Sequence, residues 1–247
     1  MKKHSIALLL LLVLLTGCGA KTEEAPWQTA YRETGKYLQE QDALSAGSVG
    51  GEWAVIGLSR AGLLSDETAQ SYEQTVEDYV KQAGSVRLHH AKSTENSRAI
   101  LGLTAAGYNA ANMAGVDLTA GLTDMAYLRA QGTNGPIWAL IALDCHGYDI
   151  PQCADGEEQT TCEGLVAEIL SYQCSDGGWA LMGDESDVDM TAMALTSLAP
   201  YQEETDIKAA VDAPLTYLSD AQQADGGFIS WGAANSESCA QVIVALT

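Results

Sequence analysis

Residues 172 to 201 read YQCSDGGWALMGDESDVDMTAMALTSLAPY. The pattern predicts a helix ending at Gln173, a turn on Gly177 and Gly178 ahead of Trp179, and a second helix from Ser186 to a stop at Pro200. The same phrase returns between Leu218 and Thr247, where Gln222, Asp225, Gly226, Gly227 and Phe228 precede Ser236, Glu237, Ser238 and Cys239. Two copies of one helix-turn-helix sentence predict an array of hairpins.

Outward from these copies, the chain from Trp27 to Thr247 keeps a period of roughly 40 to 50 residues. One helix type ends on a tyrosine or leucine followed by glutamine: Tyr37 with Gln41, Tyr79 with Gln82, Tyr127 with Gln131, Leu170 with Gln173, and Tyr217 with Gln222. The other type, poorer in charge and richer in Ala and Gly, occupies Glu52 to Gly62, Glu95 to Gly107, Gly135 to Gly147, Asp187 to Pro200, and Glu237 to Thr247. The first type carries charge along one face, so that face expects solvent; the second is apolar nearly all round and expects protein on most sides. Five hairpins with an outer and an inner ring follow. Pro214 conflicts with a long outer helix unless that helix begins near Asp212.

Composition sets bounds on partners. The 247 residues hold 12 Lys and Arg against 33 Asp and Glu, a formal net charge of -21, which opposes nucleic acid or an anionic membrane surface. An apolar share of 47% is ample for a core, and the single Phe with 24 Gly fits turns and Ala/Leu helices more than a β-sandwich.

The N-terminus reads as an address. Lys2 and Lys3 precede an apolar run from Ile6 to Leu15, too short to span a bilayer, and Leu15-Thr16-Gly17-Cys18 closes it. That tetrapeptide resembles the bacterial lipobox, which implies residues 1–17 as signal peptide, Cys18 as the lipid anchor and residues 18–26 as a tether. The expected location is extracytoplasmic, on the bacterial cell membrane. Loss of the signal peptide would leave 10 basic residues against 33 acidic ones.

The Gln, Asp-Gly-Gly-Phe/Trp turn and the Ala-rich helix after it resemble the prenyltransferase and squalene-cyclase repeat. The likeness is specific in the two copies at 172–201 and 218–247; the three earlier hairpins keep only Gly50-Gly51 or lose the turn. It implies an all-α fold, an α/α toroid of concentric helix hairpins over residues 27–247. Such rings have about six pairs and five are visible here, so the toroid is expected to be incomplete, with a C-terminal segment or a second chain completing it.

The resemblance also proposes chemistry. Asp187-Val188-Asp189-Met190-Thr191-Ala192 is similar to the acidic motif of class II terpene cyclases and puts Asp189 in the proton donor's place with Asp187 beside it, but Met190 stands where that family has a further acid. A carboxyl in the first turn of a helix is held ionised by the helix dipole, so a capping role, with Ser186 as cap and Asp189 completing a capping box, explains these acids better. Glu237-Ser238-Cys239 is similar to the Asp-x-Cys zinc pair of protein prenyltransferases, yet glutamate replaces aspartate and no third ligand is placed, so no metal is expected. Outside the cytoplasm, one or two disulfides among Cys145, Cys153, Cys162, Cys174 and Cys239 are plausible.

A concave mouth remains. Glu52, Glu95, Asp187, Asp189 and Glu237 start inner helices, with Trp53, Trp138, Trp179 and Trp231 on or near those turns; acids beside aromatics can recognise a cationic or polar-faced ligand. The expected function is a membrane-tethered binding or surface-interaction module without a resident cofactor, taking a small molecule or a protein. Resemblance to the helical domain of cobalamin carriers adds a corrinoid as a candidate ligand. The competing expectation is a cyclase-like enzyme acting on a polyprenyl substrate through Asp189.

Overall fold

The computed structural model describes residues 25–41, 44–230 and 232–247. The expected signal peptide, Cys18, most of the tether, and Trp231 fall outside the described residues. The chain divides into two compact units, 1–40 and 41–247, where the sequence placed a boundary near residue 26. In the first unit the described structure is a single helix, α1 (Pro26–Gln39), with proline in its first turn.

The second unit is built of helices: α2 (Val49–Arg60), α3 (Asp66–Ala83), α4 (Thr94–Ala105), α5 (Met125–Arg129), α6 (Asn134–Asp144), α7 (Cys162–Ser171), α8 (Val188–Leu198), α9 (Thr205–Ala221) and α10 (Ser236–Ala245). A two-residue antiparallel pair, β1 (Ile229–Ser230) and β2 (Ala233–Ala234), precedes α10. The Ala-rich helices pack on one another in chain order, α2 on α4, α4 on α6, α6 on α8 and α8 on α10. The charge-bearing helices lie against them, α3 on α2, α5 and α7 on α6, and α9 on α8.

Burial follows the two compositions. In α6, Gly135, Pro136, Ile137, Ala139, Leu140, Ala142 and Leu143 are all buried, so the helix is covered nearly all round. In the more highly charged α3 only Ala69, Tyr72, Val76 and Val80 are buried, and their spacing draws one stripe. Helix α10 is the exception among the Ala-rich set: Ser238 and Val242 are buried while Ile243 and Val244 stay exposed.

Helix ends follow local chemistry. After α2, α4 and α6 the chain reverses on Gly62, Gly107 and Gly147, all at positive φ, and the next residue's N–H reaches back to Leu58, Leu103 and Leu143. This is the Schellman closure that glycine permits.

The two clearest repeats match bond for bond. Gln173 Nε2 donates to the Gly177 carbonyl as Gln222 Nε2 donates to that of Gly226. Asp176 accepts from the Gly178 N–H as Asp225 accepts from that of Gly227. The N–H of Asp187 returns to the Trp179 carbonyl as Asn235 returns to Phe228. Gly177 sits at φ +92°, and a Cβ there would meet the Ala213 Cβ at 2.5 Å, so the turn tolerates only glycine against α9.

Three expectations are corrected. Helix α9 starts at Thr205 and runs straight through Pro214. A proline removes the N–H that would bond four residues back, and here the carbonyl at that position, Ala210, accepts from Gln173 Nε2 at 2.7 Å instead. A side chain of the neighbouring repeat thus replaces the missing bond. The cap of α8 is Asp187, whose Oδ1 accepts from the Met190 N–H at 2.8 Å. Ser186 donates instead to Asp176 at 2.6 Å and ties the turn to the helix start. Cys145, Cys153, Cys162, Cys174 and Cys239 are free thiols. Those of Cys145, Cys153 and Cys174 point to nearby carbonyls of Ala142, Glu157 and Tyr172 rather than to each other.

Candidate functional site

All five Ala-rich helices contribute to one cavity of about 580 Å³. Trp53 comes from α2, Glu95 and Arg98 from α4, Asn134 and Trp138 from α6, Met193 from α8 and Gln241 from α10; Gly47, Lys92 and Gln131 complete the wall from the connecting turns. Trp53, Arg98, Trp138, Met193 and Gln241 all lie about one turn in from the start of their helices. Side chains at equivalent depth on helices packed in series therefore converge.

The aromatic part is a pair of indoles in mutual contact. The rings of Trp53 and Trp138 have centroids 5.2 Å apart and planes inclined by 59°, a tilted contact favourable for two quadrupoles. Trp53 keeps 37% of its surface exposed, so one indole remains accessible.

The polar part centres on Arg98. Its Nη2 donates to Glu95 Oε2 at 2.7 Å, and the Tyr79 hydroxyl donates to the same oxygen at 3.3 Å. Gln131 ties the wall to α4: its Oε1 accepts from Ser93 Oγ and the Thr94 N–H, both at 3.0 Å, while Nε2 donates to Thr94 Oγ1. The glutamine of the repeat signature at this hairpin thus secures the start of the neighbouring Ala-rich helix.

Glu52 lies beside this group but does not line the cavity. It is 1% exposed, its Oε1 accepts from the Gly47 N–H at 2.6 Å, and Oε2 has no partner. Burial pushes its carboxyl above the ordinary range, opposed by the Gly47 N–H and by the Arg98 charge. An acid whose folded pKa is raised is destabilising when ionised. Glu52→Gln is therefore expected to melt higher than the parent at neutral pH. The difference should shrink as pH falls through the raised folded pKa and vanish below the unfolded value of about 4.3. Melting curves of both chains between neutral and acid pH check this.

The remaining expected residues fall elsewhere. Trp179 is fully buried, and its indole N–H donates to the Ile169 carbonyl at 2.7 Å, so it is a core residue of the fourth hairpin. Asp187 is occupied as a cap, and burial raises its carboxyl against the pull of the Met190 N–H. Asp189 Oδ2 accepts from Ser230 at 3.4 Å while Oδ1 is buried without a partner. Glu237 sits exposed in the first turn of α10, and Cys239 packs half-buried against the cluster of Val188, Ala192, Leu195, Leu218, Phe228 and Val242. None of these lines the cavity. Among the described residues there is no group of three or more His, Cys, Asp or Glu placed to hold a metal ion, and no helix long and apolar enough to cross a membrane.

Sequence reading missed Lys92, Arg98, Gln131, Asn134, Met193 and Gln241 as lining residues. The acids drew attention to the first turn of each Ala-rich helix, where Glu95 does line the cavity, whereas Arg98, Met193 and Gln241 lie about one turn further in. Four residues on from Asp189 and Glu237, on the same helical face, stand Met193 and Gln241. No family model, curated protein or solved structure matches the chain, so the site is read from its own geometry.

Proposed function

We propose that this chain is a membrane-tethered, extracytoplasmic ligand-binding module, held by a lipid on Cys18, whose Ala-rich helices form the inner wall of an α/α toroid. The observation that supports it is the convergence of all five such helices on a cavity with two tryptophans and several polar side chains. Concave sites with an aromatic surface and a few polar groups are where small molecules bind. Asp189 stands apart from that wall, so the terpene-cyclase alternative gains no support from its placement.

The test is a thermal-shift and tryptophan-fluorescence screen of corrinoids, isoprenoids and polar metabolites, with Trp53→Ala as the paired variant. A ligand that raises the melting temperature of the parent but not of Trp53→Ala meets the proposal. Turnover of an oligoprenyl substrate that disappears in Asp189→Asn would replace it with the enzyme. Intact mass of the membrane-extracted protein should show a lipid on Cys18; an unmodified Cys18 in that fraction contradicts the tether.

A further inference from the structure

The cavity's chemistry narrows the ligand class, on the premise of the ligand-binding reading above. Lys92 makes no ion pair among the described residues, and the side-chain amides of Asn134 and Gln241 make no hydrogen bond there; all three line the cavity. Arg98 Nε is buried without a partner. An entirely apolar ligand would strip water from these groups and return nothing, at about 1–3 kcal/mol for each group left unpaired. A small cation would meet Lys92 and Arg98 together. A small anion on Arg98 would compete with Glu95, which already holds the guanidinium, with Glu52 buried close by.

A neutral molecule with an apolar face and an edge of hydroxyls meets none of these penalties. Its C–H face covers an indole, while hydroxyls, which both donate and accept, satisfy ammonium, carboxamide and guanidinium groups alike. The rings of Trp53 and Trp138 touch each other, with centroids 5.2 Å apart, so a ligand meets the exposed indole of Trp53 rather than a slot between two faces. A puckered ring rests its C–H face on that single indole while its hydroxyls reach the polar side chains around it. We infer that the cavity binds a saccharide, with the exposed indole of Trp53 against the ring face and Lys92, Asn134 and Gln241 on its hydroxyls.

The full chain is titrated with methyl β-glucoside, N-acetylglucosamine, cellobiose and chitobiose, read by calorimetry and tryptophan fluorescence. Choline, succinate, adenosine and farnesol serve as cationic, anionic, flat aromatic and apolar comparators. At least one sugar should bind saturably, with Kd between about 1 μM and 1 mM. Trp53→Ala and Asn134→Ala should each weaken that binding by about tenfold or more, and Ile243→Ser, outside the cavity, should leave it unchanged. Circular dichroism confirms that each variant is folded, and Trp53→Phe, which keeps an aromatic face, should recover part of the affinity. Trp53-dependent binding of a comparator with no sugar bound overturns the saccharide inference and leaves the ligand-binding reading standing. Absence of Trp53-dependent binding for every probe overturns both.

Discussion

Trp179→Ala is expected to destabilise the folded chain by about 3–5 kcal/mol, the range for removing a fully buried large aromatic side chain. That is a large part of the roughly 5–15 kcal/mol by which a domain of ordinary stability is folded. The side chain is wholly covered, and its indole N–H donates to the Ile169 carbonyl on α7. Its backbone N–H donates to Thr191 Oγ1 on α8 at 2.9 Å. One residue therefore joins both helices of the fourth hairpin through the turn between them. Trp179→Phe should cost less, because most of the volume stays, but it leaves the Ile169 carbonyl without its indole partner. Denaturant unfolding of the three chains measures the order. A Trp179→Ala chain as stable as the parent would mean that this ring does not pack as described.

Asn96→Leu is the second large loss, about 3–6 kcal/mol, if each of three backbone groups losing a buried partner costs about 1–3 kcal/mol and part of the loss is relieved by relaxation. Asn96 is fully buried at the start of α4. Its Oδ1 accepts from the Leu88 N–H at 2.9 Å, and its Nδ2 donates to the carbonyls of Val86 and Leu118 at 2.6 and 3.0 Å. The leucine has the same branch at Cγ and the same number of side-chain heavy atoms but no polar atom, so burial is kept and the bonds are lost. Room to relax is scarce, since a Cβ on Gly121 would lie 2.2 Å from Asn96 Nδ2. The loss should reach the cavity, because the same turn of α4 carries Glu95 and Arg98. Equilibrium unfolding checks the magnitude, and a cost below about 1 kcal/mol would show that water or a rearranged loop replaces the amide.

Much of the helical architecture was legible because its causes are local. Gly62, Gly107 and Gly147 end their helices where a left-handed residue is needed, and the Gly177-Gly178 and Gly226-Gly227 turns repeat with the same hydrogen bonds. The contrast between a charged α3 with one buried stripe and an apolar α6 covered nearly all round was also present in the letters. What escaped depended on distant partners. Pro214 read as a helix breaker because the bond that accommodates it comes from Gln173, a repeat away. Trp179 read as a ligand-facing ring because nothing in its own turn announces that α7 and α8 close over it. Trp53, Trp138 and Glu95 were legible as site residues, whereas Arg98, Met193 and Gln241 were not. Their convergence requires knowing how five helices are rotated about their own axes.

Five helices laid side by side in a straight row, at about 8–10 Å per step, would put the first and fifth about 32–40 Å apart. Residues 53 and 241, on the first and last Ala-rich helices, instead line a single cavity. Spin labels at these two positions, in a chain whose native cysteines are replaced by serine, turn that difference into one distance. A curved inner wall around a shared cavity predicts a separation below about 20 Å, and a distribution centred near 35–40 Å would contradict it.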